Sequence, residues 1–291
     1  MRKNQSETAI MLLAHKNEIQ VNKLINHLSK DFDVYVHIDK RSTISVLNGE
    51  NIFVYRKYKT YWGSFNQIMA TFYLLEEACK KKYDRYLLIS GQDVPLKTNK
   101  EIQAFFDKNS CEYLAIDKVP RSDGWPNMTR VTRYWPNIRS RNDNALIARI
   151  VFKAEKQLVK LASKIKKRPI DYDFYGGANW INLTHYCVQE IMNYIAKDKK
   201  YIERFKWTCC ADELFYQTII NKISGLKIEN NCLRYIDGDT GPEKPRILRK
   251  EDYEKLMQSE HLFARKFDMN TDNDIIELLY KTLNEKENNC L

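Results

Sequence analysis

Along roughly the first hundred residues, short apolar runs alternate with longer amphipathic ones, and few folds satisfy that order. "TAIMLLA" from Thr8, "DVYVHID" from Asp33, "NIFVY" from Asn51 and "YDRYLLIS" from Tyr83 read as strands. Between them, "NEIQVNKLINHLSK" reads as a helix with Ile19, Leu24, Ile25 and Leu28 near one face. "SFNQIMATFYLLEEACKKK" reads as a helix capped by Ser64, and a further helix starts near Thr98. Strands alternating with helices pack as a mostly parallel sheet covered on both faces. Such sheets bind ligands beyond the carboxyl ends of their strands, where this chain carries His15, Asp39 and Asp93.

Residues 117 to 144 break the pattern. Pro, Trp, Arg and Asn mix there without a period, which predicts a long surface excursion. Trp125 and Trp135 either contact a ligand or pin the excursion to the body. From Ala145 a three-four apolar spacing runs to Ile165 with lysines between, so 147–168 reads as a basic amphipathic helix. It either packs on its own domain with a solvated polar face or touches an anionic membrane. "YGGANWINLT" then reads as a strand loosened by glycines. "HYCVQEIMNYIAK" and "ADELFYQTII" read as helices, the second with Asp212 and Glu213 in a first turn that favours acids. The chain reads as one domain, with 8–115 forming a nucleotide-binding half and 116–283 an acceptor and catalytic half. Residues beyond 283 are expected to fray.

At 43% apolar and 12% aromatic, 291 residues suffice for a substantial core. No run approaches the roughly 18 apolar residues that cross a bilayer, and no export signal is evident. The expectation is a cytoplasmic protein, peripheral at the inner face of the cell membrane. Seven cysteines without CxxC spacing predict reduced, mostly buried thiols, with Cys209 and Cys210 as a candidate redox pair. The net charge of +10 calls for an acidic partner. No nucleic-acid-binding motif accompanies it, so no nucleic-acid partner is expected.

An ordered set of motifs carries a resemblance. "LAHKN", "VYVHIDKRS", "YWGSFNQ", "YDRYLLISGQDVPLKTNKEI", "YGGANWINLT", "ADELFYQTI" and "HLFARKFD" together resemble the core-2/I-branching glycosyltransferases from about residue 8 to 270. The chain looks like a compact, bacterial-type member, without the anchor, stem and disulfide framework of the Golgi members. The resemblance implies a GT-A type, α/β nucleotide-sugar-binding fold with a mixed, mostly parallel central sheet flanked by helices. It also implies inverting transfer of a sugar, N-acetylglucosamine first and xylose second, from a UDP-sugar to a glycan or lipid-linked saccharide. A non-catalytic, basic membrane-surface or polysaccharide-binding protein on the same scaffold is the reading from another class.

Inverting transfer needs a base for the acceptor hydroxyl, a nucleotide pocket and positive charge for the departing diphosphate. The resemblance places the base at Glu213. It implies that Lys266 and Arg246, with Arg249 as the alternative to Arg246, replace a metal, so no cofactor is expected. The Asp-x-Asp strings at 171–173 and 237–239 keep a divalent metal as the minority reading. His15, Asp39, Trp62, Ser64, Gln92 and Asp93 are the expected donor-binding residues, with Asp93 facing sugar or nucleotide. Trp125, Arg130, Arg133, Trp180 and Asp212 are the expected acceptor contacts, the aromatic faces suiting sugar rings.

Overall fold

The structure, a computed structural model, describes residues 7–121, 127–137, 145–240 and 245–289. In chain order the elements are β1 (Thr8–Ala14), α1 (Glu18–Leu28), β2 (Asp33–Ile38), β3 (Ile52–Tyr55), α2 (Phe65–Cys79), β4 (Arg85–Ser90), β5 (Val94–Pro95) and α3 (Asn99–Lys108). There follow β6 (Glu112–Leu114), β7 (Asp117–Lys118), α4 (Thr129–Thr132), α5 (Ala145–Ile165), β8 (Tyr175–Gly176), β9 (Ile181–Thr184), α6 (His185–Lys197) and α7 (Lys199–Phe205). The chain ends with α8 (Phe215–Ile220), β10 (Ile228–Asn230), β11 (Arg234–Ile236), α9 (Tyr253–Met257), β12 (Phe263–Arg265) and α10 (Asn273–Asn289).

The central sheet has seven strands in the order β10-β6-β9-β4-β1-β2-β3. β1 lies parallel to β2 and β4, and β2 to β3, whereas β9 runs antiparallel to both β4 and β6. The mixed, mostly parallel α/β sheet expected from the sequence is therefore present. Ile10, Met11, Leu12, Leu87, Leu88 and Ile89 are all buried, because central parallel strands are covered on both faces. The chain leaves β1 toward β2 and β3, then returns to place β4 on the other side of β1. That reversal opens a crevice at the carboxyl ends of β1 and β4.

Local chemistry fixes the helix starts unevenly. Thr98 and Glu101 form a reciprocal capping box at α3. Ser64 occupies the cap position of α2, but its hydroxyl accepts the Tyr61 N–H at 3.2 Å and makes no cap bond to the helix. On α1, Ile19 is 69% exposed, and Val21 is the buried residue beside Leu24, Ile25 and Leu28. The residues beyond 283, expected to fray, stay helical to Asn289, where Glu287 meets Lys30 at 3.4 Å. Among the described residues the cysteines are free thiols, with the Cys209 and Cys210 sulfurs 3.9 Å apart.

A second, three-stranded sheet, β11-β12-β5, docks the C-terminal part of the chain onto the strand ends. Gln20 of α1 donates from Nε2 to the carbonyls of Gly91 and Phe267 at 2.9 and 3.2 Å. Asp268 accepts from Lys16 at 2.6 Å and Asn17 at 2.9 Å. Gly91 is required here, since a Cβ would stand 2.6 Å from the Val21 methyl. Beneath this joint lies buried charge. Asp93 is fully buried, its Oδ2 accepts the Ser90 N–H, and its Oδ1 faces Arg265 Nη1 at 3.7 Å. Arg234, also buried, donates to the Leu88 carbonyl at 2.9 Å and to Asn182 Oδ1 at 3.2 Å. Burial lowers the Arg234 pKa to about 10, against the opposing field of Asp93.

Two stability changes follow. Asp93→Asn removes the counter-charge of two buried guanidiniums and lowers the unfolding free energy by about 3–5 kcal/mol in chemical denaturation. Gly91→Ala crowds α1 against β4 and costs about 1–3 kcal/mol in the same measurement.

Candidate active site

A cleft of about 960 Å³ opens where the crevice between β1 and β4 meets the second sheet. His15 and Gln92 enter it from the ends of β1 and β4, Arg265 from the end of β12, and Asn179 and Trp180 from the segment before β9. Asp212 and Glu213 form its acidic side, and Arg41, Trp62, Arg149 and Phe152 stand on other walls.

The two carboxylates sit on a single 3-10 turn, Ala211–Glu213, entered through Cys210 in the left-handed region at φ 46°. Glu213 Oε2 accepts from Arg130 Nη2 at 2.7 Å, and its carbonyl accepts the Gly177 N–H at 2.9 Å. Gly177 allows that approach: a Cβ there would lie 2.1 Å from the Ala115 carbonyl oxygen. Arg130 is 3% exposed, so a buried cation fixes one oxygen of a carboxylate whose side chain remains 26% exposed. Asp212 accepts from Asn179 Nδ2 at 3.3 Å. Burial, with the adjacent Glu213 charge second, pushes the Asp212 carboxyl up to about 7. Adjacent acids thus have different environments, one paired and one desolvated.

The guanidiniums that line the cleft are those of Arg41, Arg121, Arg149 and Arg265. Arg265 lies against the Trp180 ring, 3.9 Å from its centroid, and lines the cleft. Lys266 follows the last residue of β12, is half-buried and is not among the residues that line the cleft. Arg246 is held by Asp237 at 3.0 Å and by both oxygens of Asp252 at 2.9 and 2.6 Å, next to Pro245, which lines the cleft. Arg249 is exposed and starts the turn at Lys250–Asp252.

Other expected contacts shift by one step. Asp39 is 1% exposed and does not line the cleft; it accepts from the Arg41 backbone and guanidinium at 2.8 Å each, and Arg41 is the residue on the wall. Arg41 also stacks 3.9 Å from the Tyr61 ring centroid. Asp93 stands behind Arg265 instead of facing a ligand, and Ser64 is buried. Arg130 binds Glu213 rather than an acceptor, and Arg133 lies off the cleft with its carbonyl 3.3 Å from Arg168 Nη1. Trp135 is 5% exposed, its indole donates to the Thr129 carbonyl at 2.9 Å, and its backbone N–H donates to the Trp207 carbonyl at 3.0 Å, pinning its segment to the body; Trp125 lies outside the described residues. His15, Trp62, Gln92, Trp180, Asp212 and Glu213 do converge on the cleft.

Neither Asp-x-Asp string reaches the cleft. Asp171 pairs with Arg204 at 2.7 Å, and Asp237 accepts from Thr240 and Arg246. The carboxylates that line it, among the described residues, are Asp212 and Glu213.

The sequence pattern of the Core-2/I-Branching enzyme family matches residues 8–260. Xylosyltransferase 2 of Pan troglodytes is 22% identical over 93% of this chain and 33% of its own length. That of Canis lupus familiaris is 21% identical with the same coverage. This chain thus spans about a third of those two relatives. A Danio rerio protein, beta-1,3-galactosyl-O-glycosyl-glycoprotein beta-1,6-N-acetylglucosaminyltransferase 4, is 22% identical over 96% of this chain and 70% of its own. A solved structure of a putative nucleotide-diphospho-sugar transferase from Desulfovibrio desulfuricans G20 matches 41% of this chain and 61% of its own at 12% identity, with a TM-score of 0.27. On the match across residues 8–260, the chain belongs to the Core-2/I-Branching enzyme family of glycosyltransferases.

Proposed function

We propose that this protein transfers a sugar with inversion from a UDP-sugar to a hydroxyl of a glycan or lipid-linked saccharide, with Glu213 as the general base. The observation that carries the reading is the Glu213 carboxylate on the cleft wall, fixed by Arg130 at 2.7 Å and facing a cleft bordered by Arg265. Oε2 is taken by Arg130, and among the described residues Oε1 accepts no hydrogen bond. Oε1 takes the proton of the acceptor hydroxyl as the hydroxyl oxygen bonds to the anomeric carbon. The bond from that carbon to the diphosphate breaks on the opposite face, and the electron pair leaves with UDP. A single carboxylate suffices for this displacement.

Arg265 and Arg41 meet the charge that grows on the diphosphate, in place of the Arg246 and Lys266 pair expected from the sequence. Trp180 and Asp93 hold the Arg265 guanidinium from two sides, so it needs little reorganisation when that charge develops. His15 and Gln92, at the ends of β1 and β4, border the donor. Asp212 carries its proton below about pH 7, which spares Glu213 a second negative charge. N-acetylglucosamine is the first donor sugar in this reading. Xylose is the second, favoured by the two xylosyltransferase relatives.

Turnover across UDP-N-acetylglucosamine, UDP-xylose and other UDP-sugars, with and without EDTA, tests the reading. Glu213→Gln lowers kcat by about 10²–10⁴-fold while UDP still binds; near-normal turnover in that variant overturns the base assignment. Arg265→Ala lowers kcat by about 10²-fold or more. Activity abolished by EDTA and restored by manganese overturns the metal-independent part. A separate outcome concerns pH. The folded Asp212 binds its proton more tightly than the unfolded one, so the wild type loses stability as pH rises from about 4 through about 7. In Asp212→Asn, denaturation at pH 5 and pH 8 shows a smaller loss.

A further inference from the structure

Helix α5 does not bury its apolar stripe. Ile150, Leu158, Leu161 and Ile165 are 59%, 63%, 57% and 92% exposed. With each residue turning about 100°, Ile147 and Ala154 fall on the same stripe, which runs the length of the helix. A second stripe lies directly alongside it: Arg149, Lys153, Lys156, Lys160 and Lys164, all exposed. The side that meets the body is Phe152, Glu155, Val159 and Ser163, and Glu155, the one acid in the helix, is 3% exposed. An amphipathic helix that packed on its own domain would show the reverse arrangement.

We propose that α5 is a docking helix that lies in the interface of an anionic lipid bilayer. The charge pattern selects this occupant. An apolar stripe and a basic stripe, parallel and adjacent, match acyl chains beside lipid phosphates, and the lysine stems reach from one layer to the other. A second copy of the chain would bring two basic stripes together with no exposed acid on either helix. The segment lies on the surface of the bilayer without spanning it: no described helix is long and apolar enough to cross.

Docking fixes the orientation of the candidate active site. Arg149 and Phe152 belong to α5 and also line the cleft, so docking brings the cleft beside the lipid surface. An acceptor reaching it from that side is a saccharide carried on a membrane lipid. This last step rests on the glycosyltransferase reading, whereas docking itself does not.

The experiment is flotation of the whole chain, without substrates, on vesicles of pure phosphatidylcholine and of phosphatidylcholine with phosphatidylglycerol in equal parts. The protein floats with the anionic vesicles, stays behind with the neutral ones, and is released by salt. Leu158→Glu with Leu161→Glu abolishes flotation while circular dichroism and turnover of a soluble acceptor are unchanged. Each of Lys156→Gln, Lys160→Gln and Lys164→Gln lowers the partition coefficient roughly fivefold. No flotation on anionic vesicles overturns the proposal, as does flotation that the double variant leaves intact. So does a dimer in sedimentation velocity that the double variant splits in the absence of vesicle binding. A chain that floats but transfers no sugar from any UDP donor leaves docking standing and removes the functional reading.

Discussion

A buried carboxylate at the end of a central strand organises the joint on which the cleft depends. Asp93 stands where β4 gives way to β5, fully removed from water, with Arg265 3.7 Å away and the buried Arg234 within its field. Desolvating a carboxylate and two guanidiniums is costly, and only mutual compensation makes it tolerable. The gain is positional. Arg234 ties the second sheet to Leu88 of β4 and Asn182 of β9, while Arg265 is held between Asp93 and the Trp180 ring. Gln20 and Asp268 then close the same joint from α1. A cation on the cleft wall is thus anchored through buried charge instead of by a flexible stem in solvent.

The acidic side of the cleft uses the opposite device. Asp212 and Glu213 are neighbours on one turn, and two charges that close would repel. Arg130 neutralises one of them at 2.7 Å, and burial keeps the other protonated up to about pH 7. The Gly177 N–H donates to the Glu213 carbonyl at 2.9 Å, and the backbone of Ala115 packs so closely on its other side that only glycine fits there. Cys210, in the left-handed region immediately before the turn, sets the direction in which the chain enters it.

The central sheet was readable because its strands are buried on both faces, which leaves continuous apolar runs such as Ala9 to Leu12 and Leu87 to Ile89. Thr98 was readable because a capping box has a fixed spacing. Ser64 has the same residue type and position, yet its hydroxyl turns to Tyr61; competition from a neighbouring N–H leaves no mark in the spacing. The site residues divide in the same way. Those at strand ends, His15 and Gln92, follow from topology, and Glu213 follows from its motif. Asp39 and Asp93 lie at the strand ends read from the sequence but are buried, and the arginines paired with them, Arg41 and Arg265, line the cleft. Arg265 closes β12, and a strand of three residues is too short for "LFARKFD" to show which side chain enters the cleft.

The same logic applies to α5. A three-four apolar spacing states that one face avoids water, but not what the face meets, and packing on the domain was the ordinary expectation. The helix instead turns its single acid, Glu155, toward the body and leaves its leucines and isoleucines outward beside a row of lysines. Burying an acid while exposing isoleucine is unfavourable in water. The arrangement is favourable if the outward face leaves water when the protein works. Because Arg149 and Phe152 belong to that helix and line the cleft, whatever surface covers α5 lies beside the cleft wall.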